Sequence, residues 1–390
     1  MKKVISMLMV LVMLVTLSAC GNNKDTSGNT PSADSGNKSE DADTADSGKA
    51  ADGEKALTKL SISHHPALHG VPAYVAIEKG FFKDAGLDVD MTIYLTGASQ
   101  MEALPSGSWS LGGGGATAGV VGTIGYDVQI LGYVGWDGPI DIYVREDSDI
   151  YQAGSGHIAD YPNIYGTADN WRGKTFLLPQ GTTAHLALLG TLDALGLGEA
   201  DVNIVHMEVP AAQTAFRTGE GDGVGQWINF ALTAQSYGWK KASSCADAGV
   251  DVPLTLYGSN DIINSDPDTV VAYIKAYMKA WYWIVDNREE ATQLYYQFML
   301  EEGVDTTEEN CAKLLENYKP EGIDTMLSYY AEDPVTGKTP YYTKLATMLS
   351  YFVKMGKYDQ EQVDKALSPD KLNSELMVRA LNELKAEGYK

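Results

Sequence analysis

Three histidines stand close together near the start of the part of the chain that can fold: His64, His65 and His69. Imidazoles at this spacing can converge on a metal such as zinc, or can hydrogen-bond a solute from the wall of a cleft. Zinc needs three or four converging ligands with defined supporting partners, and nothing singles out His157, His185 or His206 as the next ligand. Solute binding is therefore the first reading, with no cofactor expected, and a zinc site built on His64, His65 and His69 is the runner-up. The other candidates recur at strand-like and glycine-rich positions: Gln100, Thr117, Thr182, Thr183 and His185, then Trp136, Asp137, Asp141, Gln226 and Trp227. Hydroxyls and imidazoles donate to a polar or anionic group, and a carboxylate accepts from an amine. Trp136 and Trp227 could face each other across a cleft. A zwitterion or an aromatic heterocycle fits that mixture. No Lys or Arg lies in these loops, which disfavours a multiply charged anion such as phosphate. The run Gly112 to Gly115 lacks the Gly-Lys-Ser/Thr ending of a P-loop, so nucleotide hydrolysis is not supported. No cysteine or serine sits in a nucleophile motif, and no enzyme is expected.

These residues need strands and helices to hold them. Leu60 to Ser63, Leu87 to Leu95, Val128 to Val134, Ile140 to Val144, Lys174 to Leu178, Val202 to Glu208 and Gly223 to Trp227 read as strands. Helical patterns lie between them, opened by Pro72, Gly97 or Ala184 and closed by Gly80, Gly196 or Gly219. Strands alternating with helices at this spacing argue for an α/β fold with parallel sheets. In such sheets ligands collect where strands run into helices, and helix N-termini favour negative groups. Four turns qualify, at 64–70, 97–100, 112–117 and 180–185. From Asp266 onward the chain reads as mostly helical. Tyr273, Tyr277 and Trp281, four residues apart, are taken as the buried face of a helix rather than a ligand platform.

The N-terminus reads as an address. Lys2 and Lys3 precede an apolar run from Val4 to Leu17, too short to be a comfortable permanent span. It ends in Leu17-Ser18-Ala19-Cys20, which resembles the lipobox of bacterial lipoproteins, so residues 1–19 are expected to be a signal peptide and Cys20 the lipidated residue. Residues 21–56 hold no aromatic residue and no Val, Ile, Leu or Met, and are expected to be a disordered tether with a reach of roughly 30–36 Å. The 390 residues carry 52 Asp+Glu against 29 Lys+Arg, a formal charge of −23. That charge repels phosphate backbones, and no nucleic-acid partner is expected. Cys245 and Cys311 would be the cysteines left in the folded part, with their pairing open.

One ordered set of segments resembles a known family. Tyr74-Val75-Ala76-Ile77-Glu78-Lys79-Gly80-Phe81-Phe82, continuing to Val89, is similar to the signature of ABC-transporter substrate-binding proteins of the nitrate/sulfonate/taurine and thiamine-pyrimidine type. Gly97 to Gln100, Gly112 to Gly119, Trp171 to Thr175 and Pro179 to His185 match later blocks in the same order. The resemblance implies a two-lobed periplasmic-binding-protein-like (type II) fold with ligand held between lobes. Residues 57–140 with 248–390 would form one lobe and 141–247 the other. It also implies an ABC permease as partner, a monomer, and a lipid-anchored place on the extracytoplasmic face of the membrane. The thiamine-pyrimidine synthases that share this fold carry a cysteine cluster absent here, in keeping with a protein that is not an enzyme.

Overall fold

The computed structural model describes residues 56–136, 139–317, 320–354 and 356–390; Cys20, the expected tether and Asp137 lie outside the described residues. The first sheet contains β1 (Thr58–His64), β2 (Leu87–Ile93), β3 (Leu111–Gly115), β4 (Val128–Trp136) and the returning strand β10 (Pro253–Ser259), in the order β2-β1-β3-β10-β4. Its helices are α1 (Val71–Glu78), α2 (Phe81–Asp84), α3 (Gly97–Ala103) and α4 (Ala116–Gly125). The second sheet repeats the pattern as β7-β6-β8-β5-β9, from β5 (Ile140–Val144), β6 (Thr175–Leu178), β7 (Asn203–His206), β8 (Gly223–Trp227) and β9 (Lys240–Ser244). It carries α5 (Asp149–Gln152), α6 (Ala168–Trp171), α7 (Thr183–Ala194), α8 (Val209–Arg217) and α9 (Ile228–Ser236).

Both sheets are mixed rather than purely parallel. β10 runs antiparallel to β3 and β4, and β5 runs antiparallel to β8 and β9. Each antiparallel strand follows directly on a crossing between the sheets, out after Trp136 and back after Ser244. A short crossing delivers the strand pointing against its new neighbours, whereas a parallel entry would need a long crossover.

The rest is helical: α10 (Asn260–Ser265), α11 (Pro267–Asp286), α12 (Arg288–Glu301), α13 (Glu308–Asn317), α14 (Ile323–Ser328), α15 (Pro340–Lys354), α16 (Gln360–Ala366) and α17 (Glu375–Ala386). Asp266 caps α11 through the Thr269 N–H, and Pro267 occupies its first turn, where a missing N–H is harmless. Tyr273, Tyr277 and Trp281 are fully buried on α11, as the packing reading requires. Cys245 and Cys311 are buried and form no disulfide.

One expectation needs correction. Gly112 to Gly115 is not a turn but most of the central strand β3, paired to β1 and β10. A Cβ on Gly113 would stand 2.9 Å from His64 Cε1, and one on Gly114 would stand 2.9 Å from His65 Cε1. On Gly112 it would meet the Ser63 carbonyl at 2.5 Å. The glycines are there so that two imidazoles can lie against the strand.

Candidate functional site

β1 ends in His64, and the loop behind it enters α1. His64 is fully buried, its Nε2 2.9 Å from the Tyr273 hydroxyl and its ring stacked on Tyr277 at 5.7 Å. His65 turns to the other side. Gln100 gives both amide hydrogens' side to Ser63, at the carbonyl (3.1 Å) and the hydroxyl (2.7 Å), so its Oε1 is the acceptor. His65 Nε2 therefore donates to that oxygen at 2.9 Å, and His65 Nδ1 is left as a lone-pair acceptor. His69 packs edge-on against His65 at 5.0 Å, and its Nδ1 has no partner. Burial pushes His64 down to about 3 and His65 to about 4, and holds His69 well below the ordinary imidazole value, with the neighbouring rings adding to the fall at His64 and His69. All three are neutral at pH 7.

A cavity lies between the two sheets. From the first come His65 to His69, Leu95 and Thr117; from the second come Thr182, Thr183, Pro210 and Trp227 to Phe230. Thr183 Oγ1 accepts from Trp227 Nε1 at 2.7 Å, which fixes the indole and leaves the hydroxyl proton for another acceptor. Asn229 Nδ2 donates across the gap to the Pro66 carbonyl at 2.9 Å, while its Oδ1 is buried without a partner. No Lys, Arg, Asp or Glu is among the lining residues.

Four helices of nine residues or more start at this cavity, and none has a side-chain cap: α4 behind Gly115, α7 behind Thr182, α8 behind Glu208 and α9 behind Trp227. Elsewhere the starts vary: α3, α10, α11 and α16 are capped by Thr96, Ser259, Asp266 and Asp359, while α12, α14 and α17 have no side-chain cap. Uncapped first turns present unsatisfied N–H groups and a partial positive charge. The cavity thus offers donors from backbone and hydroxyls, two or three acceptors, apolar walls and no formal charge.

Of the residues expected at the site, His65, His69, Thr117, Thr182, Thr183 and Trp227 line the cavity. His64 and Gln100 do not; they form the layer that fixes His65. Trp136 is far from facing Trp227: its Nε1 donates to Glu321 Oε1 at 2.8 Å, and it lines a groove at the crossings with Lys241, Cys245 and Asp251. Asp141 is buried on β5, accepting from Tyr143 at 3.0 Å, with desolvation raising it to about 6. Gln226, its partner in the β5–β8 register, is buried with both amide atoms unpartnered. His185 points back into its own loop, where Nδ1 accepts from the Gly181 N–H at 3.1 Å. Alternation explains Gln226, since adjacent strand residues point to opposite faces and Trp227 takes the cavity side. Asn229, Ile228, Phe230 and Pro210 were missed; the strand-to-helix switch at Trp227 was the signal that could have found them. Among the described residues no group of three or more His, Cys, Asp or Glu side chains is placed to hold a metal ion. None of the described helices is long and apolar enough to cross a membrane.

Two mixed sheets of five strands around a neutral cleft make the fold of periplasmic binding proteins, and solved structures agree. The aliphatic sulphonate binding protein of Escherichia coli superposes with a TM-score of 0.62 at 15% identity, over 80% of this chain and 98% of that one. The nitrate-binding protein of Synechocystis PCC 6803 gives 0.63 at 13% identity, over 85% and 90%. In sequence, a Brachyspira hyodysenteriae protein that carries the name of an ABC transporter periplasmic binding protein is 29% identical over 69% of this chain and 77% of its own length. The taurine-binding periplasmic protein of E. coli is 27% identical over 54% and 62%. The NMT1/THI5 like family matches residues 69–153 and 159–291, more than half of the chain, and the chain belongs to that family. With its relatives it is an extracytoplasmic substrate-binding protein of an ABC importer, not an enzyme.

Proposed function

We propose that the protein captures a small organic solute with an uncharged or singly anionic head and an apolar or aromatic body, and delivers it to an ABC permease while anchored through a lipid on Cys20. The observation that carries this reading is the meeting of four uncapped helix N-termini with the unpartnered His69 Nδ1 and Asn229 Oδ1 in a lining without charge. Helix N-termini favour a single negative charge. Trp227, Ile228, Phe230 and Leu95 suit a hydrocarbon or ring. A free ammonium finds no carboxylate among the described lining residues, so a sulfonate or an aromatic heterocycle is favoured over a zwitterion. The relative named for aliphatic sulfonates supports the sulfonate side of that choice.

Capture works by differential affinity: ligand touching both walls favours the closed arrangement that the Asn229–Pro66 bond already bridges. The test is a thermal-shift and calorimetry panel of alkanesulfonates, taurine, aromatic carboxylates, thiamine pyrimidines, and zinc with and without chelator. Ligand at about 100 times its dissociation constant stabilises by roughly 2.7 kcal/mol, a shift of a few degrees. A shift with one organic class, unaffected by chelator, is expected. A shift with zinc alone, abolished by chelator, would restore the histidines as metal ligands. Loss of membrane retention in Cys20→Ser, with the protein secreted intact, checks the anchor.

A further inference from the structure

A second pocket shares Pro210 and Phe230 with the ligand cavity. Its inner wall is one face of α8, with Pro210, Gln213, Thr214 and Arg217 at helical spacing. Opposite stand Phe230 and Tyr237 from α9 and the turn Gly303 to Asp305 after α12. It therefore lies at the meeting of the second sheet's helices with the helical C-terminal region, next to one side of the cleft. Pro210 and Phe230 line both spaces, and the Gln213 amide, bonded to the Phe230 carbonyl, stands beside them.

The chain's five arginines are Arg145, Arg172, Arg217, Arg288 and Arg379, and four of them are committed. Arg145 donates to the carbonyls of Gly221, Phe216 and Glu220, and Arg288 to that of Leu315. Arg172 pairs with Asp201, and Arg379 with Asp268 and Glu383. Arg217 lies over the Tyr237 ring, 5.4 Å from its centroid, and makes no ion pair among the described residues. Asp305 lines the same pocket, yet its Oδ2 is engaged by the Tyr237 hydroxyl at 3.4 Å and not by the guanidinium. Arg217 is exposed and shares the pocket with Asp305 without pairing to it; in a chain of charge −23 such a guanidinium is an available anion site, and its planar fork suits carboxylate or sulfonate oxygens. Gln213, 8% exposed, spends only its amide nitrogen on the Phe230 carbonyl, at 3.5 Å.

Resting on the solute-capture reading, we propose that the ligand is elongated: its body fills the neutral cavity, and a chain passes between Pro210 and Phe230 to end in an anionic group held by Arg217. The pocket thus selects for length and for a second, distal negative charge, a class of solute the neutral cavity alone would not distinguish.

The experiment compares affinities of the purified protein for alkanemonosulfonates, from ethane to octane, with those for the α,ω-disulfonates of the same lengths. One intermediate length of disulfonate should bind about tenfold tighter than its monosulfonate, the scale of one charge-assisted contact. Arg217→Gln should erase that difference and leave the monosulfonate affinity unchanged; Arg217→Lys should restore part of it. Monosulfonate binding with no gain for any disulfonate, or with a gain that survives Arg217→Gln, overturns the second pocket and leaves the cavity reading standing. Binding of neither series overturns the second pocket together with the sulfonate side of the capture reading.

Discussion

Trp136 and Trp227 each end a strand and each stand beside a crossing of the fold, yet they do opposite work. Trp227 lies on the cavity side, with one bond, to Thr183. Trp136 lies at the crossings and is saturated: Glu321 takes its N–H, Tyr133 and Tyr329 pack on it, and Lys344 stands 4.6 Å from its ring centroid. Glu321 also accepts from the Tyr133 hydroxyl at 3.0 Å, and Tyr330 takes the Tyr133 N–H at 2.7 Å. Partners from the C-terminal region make the difference, since nothing from that region reaches Trp227's face of the cavity. An aromatic at a strand end is a ligand surface only where the rest of the chain leaves it uncovered.

The largest effect expected is on stability against acid. His64, His65, His69 and His185 have folded-state values depressed below 6.5, so the unfolded chain takes up protons first as pH falls. Their contribution is complete above pH 6.5 and is lost as pH falls through their depressed values, on the order of 2 kcal/mol by pH 5 for each of His64, His65 and His185. Asp141 works the other way: raised to about 6, it holds its proton in the folded state, so its contribution is present at low pH and lost as pH rises from about 4 to 6. Denaturant titrations should show stability falling between pH 7 and 5, more steeply in Asp141→Asn. A flat profile would mean the imidazoles of the site are solvated.

Next is the exchange of the two tryptophans for alanine. Trp136→Ala should cost about 3 kcal/mol of stability and spare ligand affinity, because it empties a packed and hydrogen-bonded place. Trp227→Ala should cost about 2 kcal/mol in binding, roughly thirtyfold, with little loss of stability. The reverse ordering in paired melting and calorimetry experiments would exchange the roles of the two faces. Replacing Thr182 and Thr183 together by alanine should weaken binding by about tenfold, near 1.4 kcal/mol, while leaving the fold intact. Unchanged affinity would remove the start of α7 from the site.

The alternation of strands and helices was legible because apolar spacing and glycine stops are local signals. What was not legible depended on partners distant in sequence. Gly112 to Gly115 looked like a turn because four glycines favour one; only the imidazoles of His64 and His65 on the neighbouring strand explain a strand without side chains. The three histidines looked equivalent, but Tyr273 and Tyr277, some two hundred residues on, claim His64 for the interior. Trp136 was placed at the cavity because Glu321 and Lys344 carry no local sign that they return to it. Asn229 escaped notice as an ordinary helix residue until the Pro66 carbonyl gave it a role.

The smallest effect sharpens the same contrast at the crossings. Lys344 Nζ is 2.6 Å from Asp251, on the return crossing, while it covers the Trp136 ring at the end of the outgoing strand. It therefore ties both crossings to α15, whose far end reaches α7 through Lys354 and Asp193 at 2.9 Å. Lys344 and Asp251 side chains are 30% and 64% exposed, so their Coulomb attraction is largely screened. Lys344→Met keeps most of the stem that packs on the indole and removes the charge. It should destabilise by less than about 1 kcal/mol, an effect that fades at high salt. Asp251→Asn should match it, and the double variant should lose no more than either alone, because the two substitutions remove one interaction. Additive losses would separate the ring contact from the ion pair, and Trp136 would then owe its place to Glu321 and the tyrosines alone.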